Sequence, residues 1–200
     1  MKSSEFYRNF SLGLVYPAVL GTLIFQLIDY SSSPATSGLY WLKIKVLSFL
    51  VVIYSLDFLK NSLEKYNLTK VFFDLFTIFG LYSSYSALNF SDNSSVNLNY
   101  LSFSYFILTG AENAWILMKD MLSKKNSKND ELTKKVFNLN KYANTVSLLC
   151  AGALMFGSLK FAKSHDYDSW STWFSVASCV IIISELMRVS KLVFFLTQKD

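Results

Sequence analysis

WSTWFSVASCVIIISELMRVSKLVFF, residues 170 to 195, is the longest apolar run in the chain. A transmembrane helix needs about 20 predominantly apolar residues, because a rise of 1.5 Å per residue must cross a hydrocarbon core of about 30 Å. The run exceeds this length even though it contains Glu185, Arg188 and Lys191. It therefore predicts a membrane-spanning helix that tilts or continues beyond the bilayer.

Further runs of similar character lie upstream and are separated by polar connections. They are Phe10 to Asp29, Leu39 to Leu59, Val71 to Phe90, Tyr100 to Met118 and Ala143 to Phe161. The first run could alternatively be a signal peptide, but its length exceeds the usual apolar core of about 7 to 15 residues. We therefore predict an all-α polytopic membrane protein with six transmembrane helices in a single transmembrane domain.

The composition favours the same class. Hydrophobic residues make up 52% of the chain and charged residues 16%, whereas soluble domains carry about 25% charged residues. The net charge of +5 and the pI near 9.1 would suggest nucleic-acid binding in a soluble protein. Here the basic residues cluster between the apolar runs instead, so we predict no nucleic-acid partner and interpret them as topology signals.

The lysines and arginines divide unequally between the two sides of the predicted membrane. One side holds all but four of the 19, because only Lys43, Lys45, Lys160 and Lys163 fall on the other. Basic residues near short connections favour the cytoplasmic side. This division predicts cytoplasmic N- and C-termini for an integral protein of the cell membrane, either plasma or inner.

The longest predicted connection, residues 119–140, is rich in lysine. Its sequence predicts a loop that leads into a short helix, with Asn129 as the N-cap before Asp130 and Glu131. A solvated loop that sets topology is one interpretation. The other is a site for anionic lipid headgroups, since each lysine near a charged surface contributes about 1 kcal/mol.

Four acidic residues fall in the cytoplasmic half of the predicted spans: Asp57, Asp74, Glu112 and Glu185. Ionisable residues inside a membrane are costly and often mark ion or substrate pathways. With Asn113 beside Glu112, and with Arg188 as a counter-charge, these residues predict a polar path. Alternatively, Asp57 and Asp74 pair with Lys60 and Lys70 and only anchor helix ends at the headgroups.

The fifth predicted span contains small residues at helical spacing, including Ser147, Ala151, Ala153 and Gly157. Small side chains allow helices to approach closely in membranes, so this stretch predicts a helix-packing face. The single histidine, His165, lies near Asp166 and Asp168. One histidine and two loop carboxylates make a poor metal site, and we predict none.

The common hydrolase, NTPase and redox motifs are missing from the sequence, so we expect no cofactor and no conventional enzyme. The pattern best fits a small channel or transporter for a cation, a proton or a small basic solute. A non-catalytic membrane subunit or scaffold is the alternative, and an intramembrane lipid-modifying enzyme is the third. A homo-oligomer or a partner membrane subunit is expected because six helices are few for a self-contained transporter.

Overall fold

The chain is described by a computed structural model over residues 3–32, 38–63, 68–88, 96–126, 131–164 and 166–197. Within these ranges it is all helical, as predicted. The elements are α1 (Ser3–Phe10), a π-helical segment (Ser11–Val15), α2 (Tyr16–Ser32), α3 (Gly38–Leu63), α4 (Leu68–Ala87), α5 (Leu98–Asn126), α6 (Glu131–Ser164) and α7 (Tyr167–Thr197). The first three are continuous, so the described chain folds into six helical rods.

Two of these rods are long and apolar enough to cross a membrane. They cover Glu5–Ser32, with a mean hydropathy of 1.8, and Tyr167–Ser190, with a mean hydropathy of 1.5. A shorter apolar stretch, Thr145–Ser158, lies in α6. Other predicted spans are more polar: α4, for example, carries Lys70, Asp74 and the Tyr82 to Ser86 stretch. Length and composition thus support membrane association, and the six-fold crossing remains a prediction.

The lysine-rich stretch 119–140 differs from its prediction. Helix α5 continues to Asn126 and α6 begins at Glu131, so most of the predicted loop is helical. Residues between 119 and 126 include no glycine or proline, which removes the usual helix breakers. Residues 127–130, and with them the predicted N-cap Asn129, lie outside the described part of the chain.

Neighbouring helices pack in the order α2, α3, α7, α6, α5 and α4. An aromatic group joins α3, α5 and α7 in one half of the bundle: the Phe49 ring lies 5.1 Å from that of Tyr105 and 5.6 Å from that of Phe174. Trp170 stacks on Phe174 and is almost fully buried. This apolar half fixes the spacing of the three helices, which carry buried charged or polar residues toward their other ends.

The start of α7 is capped by Asp166. The backbone N–H of Ser169 donates to Asp166 Oδ1 at 3.0 Å, which satisfies one of the donors that a helix N-terminus leaves open. Hydrogen bonds from Ser169 lower the pKa of Asp166 below its usual range. The predicted companion His165 lies outside the described residues, and the described ones contain no cluster suited to a metal ion.

The predicted small-residue face of α6 is only partly correct. Ser147 and Ala151 are buried, and Ser147 Oγ lies 3.0 Å from Ser184 Oγ of α7. Ala153 is exposed and Gly157 is half-buried. Ala153 is two residues from Ala151, and residues that are two positions apart in a helix point to nearly opposite faces. The packing face therefore includes Ser147 and Ala151 but not Ala153.

Helices α4 and α5 pack closely against each other at Gly80. A Cβ atom on this glycine would lie 3.0 Å from the backbone N and Cα atoms of Leu108. Backbone atoms cannot move aside as the end of a side chain can, so only glycine fits here without shifting a helix. The contact sets the separation of α4 and α5 at a point that follows the buried residues Lys70 and Asp74 along α4.

We expect Gly80→Ala to lower the free energy of unfolding by about 1–3 kcal/mol through overpacking against Leu108. The measurement is an SDS titration of the purified protein in detergent micelles. Gly21→Ala is the matched control, because nothing lies within 4 Å of a Cβ at Gly21. That variant should be neutral or slightly stabilising. Equal effects at the two positions would contradict the close approach.

Candidate functional site

A group of charged and polar side chains is buried at one end of the bundle. We call it the ionic cluster, and it consists of Tyr16, Asp57, Lys60, Asn61, Lys70, Asp74, Asn113, Glu185 and Arg188. These residues come from α2, α3, α4, α5 and α7, and each is at most 7% exposed. Buried charges of this kind are tolerated only when they are paired and hydrogen-bonded.

Within the cluster, Lys60 makes an ionic contact between α3 and α7. Its Nζ lies 2.9 Å from Asp57 Oδ1 on the same helix and 3.8 Å from Glu185 Oε2 on α7. Asp57 and Lys60 are three residues apart, which places them on one face of α3. A single ammonium group is therefore shared by carboxylates from two helices.

Helix α7 contributes its own pair, Glu185 and Arg188. The Arg188 guanidinium donates to Glu185 Oε1, again across a three-residue spacing on one helix face. A longer contact of 3.4 Å joins Arg188 Nη2 to Asn113 Oδ1 of α5. Arg188 thus links the predicted acid Glu185 to the predicted polar residue on α5.

Tyr16 closes the cluster on the α2 side. Its hydroxyl donates to Asp57 Oδ2 and accepts from Asn61 Nδ2 at 2.5 Å, while the same amide lies 3.2 Å from Asp57 Oδ2. The Tyr16 ring stacks on that of Tyr54, with ring centroids 4.7 Å apart. Tyr16 directly follows the π-helical segment Ser11–Val15, and such segments frequently occur at functional sites.

Helix α4 adds a second ion pair. Lys70 Nζ lies 2.5 Å from Asp74 Oδ1, and the same ammonium lies 5.6 Å from the centre of the Trp115 ring on α5. Both residues of the pair are buried. The charge of Lys70 also acts on Asp57, so the α4 pair and the α3–α7 contacts belong to one electrostatic unit.

The described charges of the cluster balance. Three carboxylates, Asp57, Asp74 and Glu185, face three cations, Lys60, Lys70 and Arg188. Attraction between opposite charges offsets part of the cost of taking each of them out of water. The charges of the described side chains in the group sum to zero, and each of its carboxylates is an acceptor that a competing cation or a proton can engage.

Two buried oxygens beside the cluster accept no hydrogen bond within the described part of the chain. They are Asn61 Oδ1 and Tyr54 Oη. Tyr54, Asp57 and Asn61 are spaced by three and four residues, so they share one face of α3. Buried polar atoms are almost always satisfied by protein or water. These oxygens are therefore buried polar atoms without a hydrogen-bond partner among the described residues.

The ionic cluster contains most of the residues predicted as a polar path. Asp57, Asp74, Glu185, Arg188 and Asn113 are all buried in it. The fourth predicted acid, Glu112, precedes Asn113 on α5, but its side chain lies outside the described ones. The alternative prediction that Asp57 and Asp74 pair with Lys60 and Lys70 matches the observed pairing. Both pairs are buried, however, rather than lying at exposed helix ends.

Sequence reasoning missed Tyr16 and Asn61, and it assigned Lys60 and Lys70 to the membrane surface. Asn61 could have been found from its four-residue spacing to Asp57, which places both on one helix face. No comparable signal marks Tyr16, because its contact with Asp57 joins residues that are 41 positions apart. Long stems normally carry lysine ammonium groups out to the headgroups and water, which is why the sequence predicts that both lysines lie at the membrane surface.

A groove of about 320 Å³ lies between α4 and α5 but is lined by apolar side chains, among them Phe73, Phe76 and Ala111. It offers no hydrogen-bonding groups for a charged solute. The ionic cluster is therefore the site on which chemistry can be argued. No protein-family model, curated protein or solved structure matches the chain, so its function is inferred from this geometry alone.

We expect Arg188→Met to lower the free energy of unfolding by about 3–5 kcal/mol, because it removes one partner of a buried ion pair. Arg8→Met is the control: Arg8 is exposed and donates to the backbone oxygen of Ser62. Losing that bond should cost about 0.5–1.5 kcal/mol. Unfolding by SDS titration compares them. A loss at Arg188 no larger than at Arg8 would contradict the buried pair.

Proposed function

We propose that this chain is a small membrane transport protein that crosses the bilayer six times, with both termini in the cytoplasm. The ionic cluster is its polar site for a cation, a proton or a small basic solute. The observation that carries the proposal is the burial of three carboxylates and three cations among helices that expose many large apolar side chains. The cell membrane, plasma or inner, is the proposed location.

The distribution of apolar side chains supports a lipid environment. Every helical rod exposes large hydrophobic residues, including Phe25, Val52, Phe79, Phe103, Leu149 and Ile183. Soluble monomers rarely expose extensive apolar surface, whereas a bundle in lipid has apolar residues outside and polar residues between its helices. The division of lysines and arginines sets the orientation that we propose.

The ionic cluster suits transport because its carboxylates are held by tethered cations that can be exchanged. A proton or an external cation that reaches Asp57 or Glu185 competes with Lys60 for the carboxylate. When Lys60 is displaced, the contact between α3 and α7 is weakened, because that ammonium bridges them. Binding would then change how two helices pack, and such a change is required for alternating access.

A non-catalytic membrane subunit is the second candidate, and the balanced charges favour it. A network whose cations and carboxylates neutralise one another can have a purely structural role, in which it holds the helices in register. In that case the chain binds another membrane protein, or a second copy of itself, and the lysine-rich stretch 119–140 contacts anionic headgroups. Transport and scaffolding differ in whether the carboxylates affect solute flux.

For the transport proposal, the purified chain is reconstituted into liposomes, and proton and small-cation flux are measured. We expect Asp57→Asn and Glu185→Gln to reduce flux at least about tenfold, because each removes a carboxylate that the moving cation must engage. Asp168→Asn, which alters an exposed acid at the start of α7, should leave flux unchanged. Equal flux in all four proteins would exclude the cluster as the path and favour the scaffold.

The proposed topology predicts which positions react with an impermeant thiol reagent. Cys150 and Cys179, both free, are first replaced by serine. In intact cells, Ser31→Cys should be labelled by a membrane-impermeant maleimide, while Ser123→Cys should react only after the membrane is permeabilised. This follows from the lysine-rich cytoplasmic side. Labelling of Ser123→Cys in intact cells would contradict the proposed orientation.

A further inference from the structure

We propose that the first helical rod, residues 3–32, is a gate over the ionic cluster, with the π-helical segment as its hinge and Tyr16 as its latch. When the gate opens, the rod moves away from α3 and uncovers Asp57. This inference deepens the proposed transport function and rests on it for what the gate admits, whereas the opening is a property of the helices. Four observations carry it: the small buried surface of the rod, its place in the bundle, the bonds of Tyr16 and the geometry of the hinge.

The first observation is that few buried side chains hold the rod. Of its described side chains, only Ser11, Tyr16 and Leu23 are buried. Helix α4 is shorter and has eight buried residues. Elements that move are drawn from the parts of a protein with few buried contacts. The rod can therefore separate from the bundle at a lower cost than a helix embedded like α4.

The second observation is the place of the rod at a seam in the bundle. The packing order begins with α2 and ends with α4, and the contact that α1 makes with α4 is much smaller than those between successive helices. Charged residues of the ionic cluster lie on both helices beside this seam, Asp57 on α3 and the Lys70–Asp74 pair on α4. Movement of the rod would therefore open the cluster from this side.

The third observation is that Tyr16 fastens the rod to the cluster. Tyr16 is 1% exposed, and its hydroxyl donates to Asp57 Oδ2 and accepts from Asn61 Nδ2. Both Asn61 and Tyr54 contact Tyr16, and each has a buried oxygen without a hydrogen-bond partner among the described residues. Water that enters when Tyr16 leaves can satisfy these oxygens, which offsets part of the cost of opening.

The fourth observation is the geometry of the hinge. The backbone N–H of Tyr16 donates to the oxygen of Ser11, five residues earlier, whereas an α-helix uses the oxygen four residues earlier. The next residue, Pro17, has no N–H, and its ring in α geometry would clash with the carbonyl of Gly13. Local π-helical turns accommodate such prolines in membrane helices. Helices bend at prolines and π-helical turns, so the rod has a hinge directly before its latch.

The test measures the distance across the seam by double electron–electron resonance in nanodiscs. Cys150 and Cys179 are replaced by serine, and spin labels are attached to Thr22→Cys on α2 and Phe79→Cys on α4, both exposed positions. We expect a closed distance and a longer, open one. Tyr16→Phe keeps the ring and removes the hydroxyl. It should raise the ratio of open to closed at least about fivefold, because the lost hydrogen bond is to a carboxylate.

The matched control is Tyr105→Phe, which also removes a buried hydroxyl, one that lies 3.5 Å from Ser178 Oγ. It should leave the ratio unchanged. A second label pair, Phe103→Cys and Phe156→Cys on the exposed surfaces of α5 and α6, should give the same distance in every variant. Equal ratios in Tyr16→Phe and Tyr105→Phe overturn the latch. A change at the α5–α6 pair as well overturns the gate, because the whole bundle then loosens.

The hinge is tested by deleting Gly13 and combining the deletion with Pro17→Ala. The deletion places Tyr16 four residues after Ser11, so the same N–H and oxygen can form an α-helical hydrogen bond. Nothing lies within 4 Å of a Cβ at Gly13, so its loss opens no cavity. We expect the latch to stay in place and Tyr16→Phe to have no effect on the ratio in this background. The same opening as in the full-length chain overturns the hinge.

The gate and the proposed transport function fail in different ways. Cation flux that depends on Asp57, with a seam distance that is the same in every variant, overturns the gate and leaves transport standing. An open distance that Tyr16→Phe favours, without flux of any cation, leaves the gate standing and removes transport.

Discussion

The ammonium group of Lys60 lies between Asp57 and Glu185. The end of the bundle that contains the ionic cluster depends on this contact. It brings α3 and α7 together where the aromatic packing of Phe49 and Phe174 no longer reaches. Taking one cation and two carboxylates out of water is costly unless neighbouring charges compensate. Arg188 compensates Glu185, and Tyr16 and Asn61 donate to Asp57. The composition of the cluster follows from this requirement.

The rest of the fold holds these groups in position. Gly80 lets α4 approach α5 closely, and α4 carries the buried Lys70–Asp74 pair. The aromatic half fixes the other ends of α3, α5 and α7. Large apolar side chains are exposed on every helix of the described chain, while the charged residues of the cluster are buried between the helices.

Much of the fold could be predicted from the sequence, because apolar runs separated by polar connections specify helices directly. Spacing within one helix also revealed the Glu185–Arg188 and Asp57–Lys60 pairs. Tyr16 could not be found this way, since its partner is on another helix, and the burial of Lys70 depends on how α4 meets Trp115. The extension of α5 to Asn126 and the start of α6 at Glu131 also differ from the prediction, because the polar composition of residues 119–140 predicts a loop. Local patterns determine faces of helices, whereas the pairing of those faces is a tertiary property.

The most direct measurement of this account is a double-mutant cycle between Lys60 and Glu185. Free energies of unfolding are measured for Lys60→Met, Glu185→Gln and the double variant in detergent micelles. If one ammonium group joins α3 to α7, the two changes will be non-additive, with a coupling of about 0.5–3 kcal/mol. Additive effects, with a coupling near zero, would contradict the shared contact on which the ionic cluster and its proposed function depend.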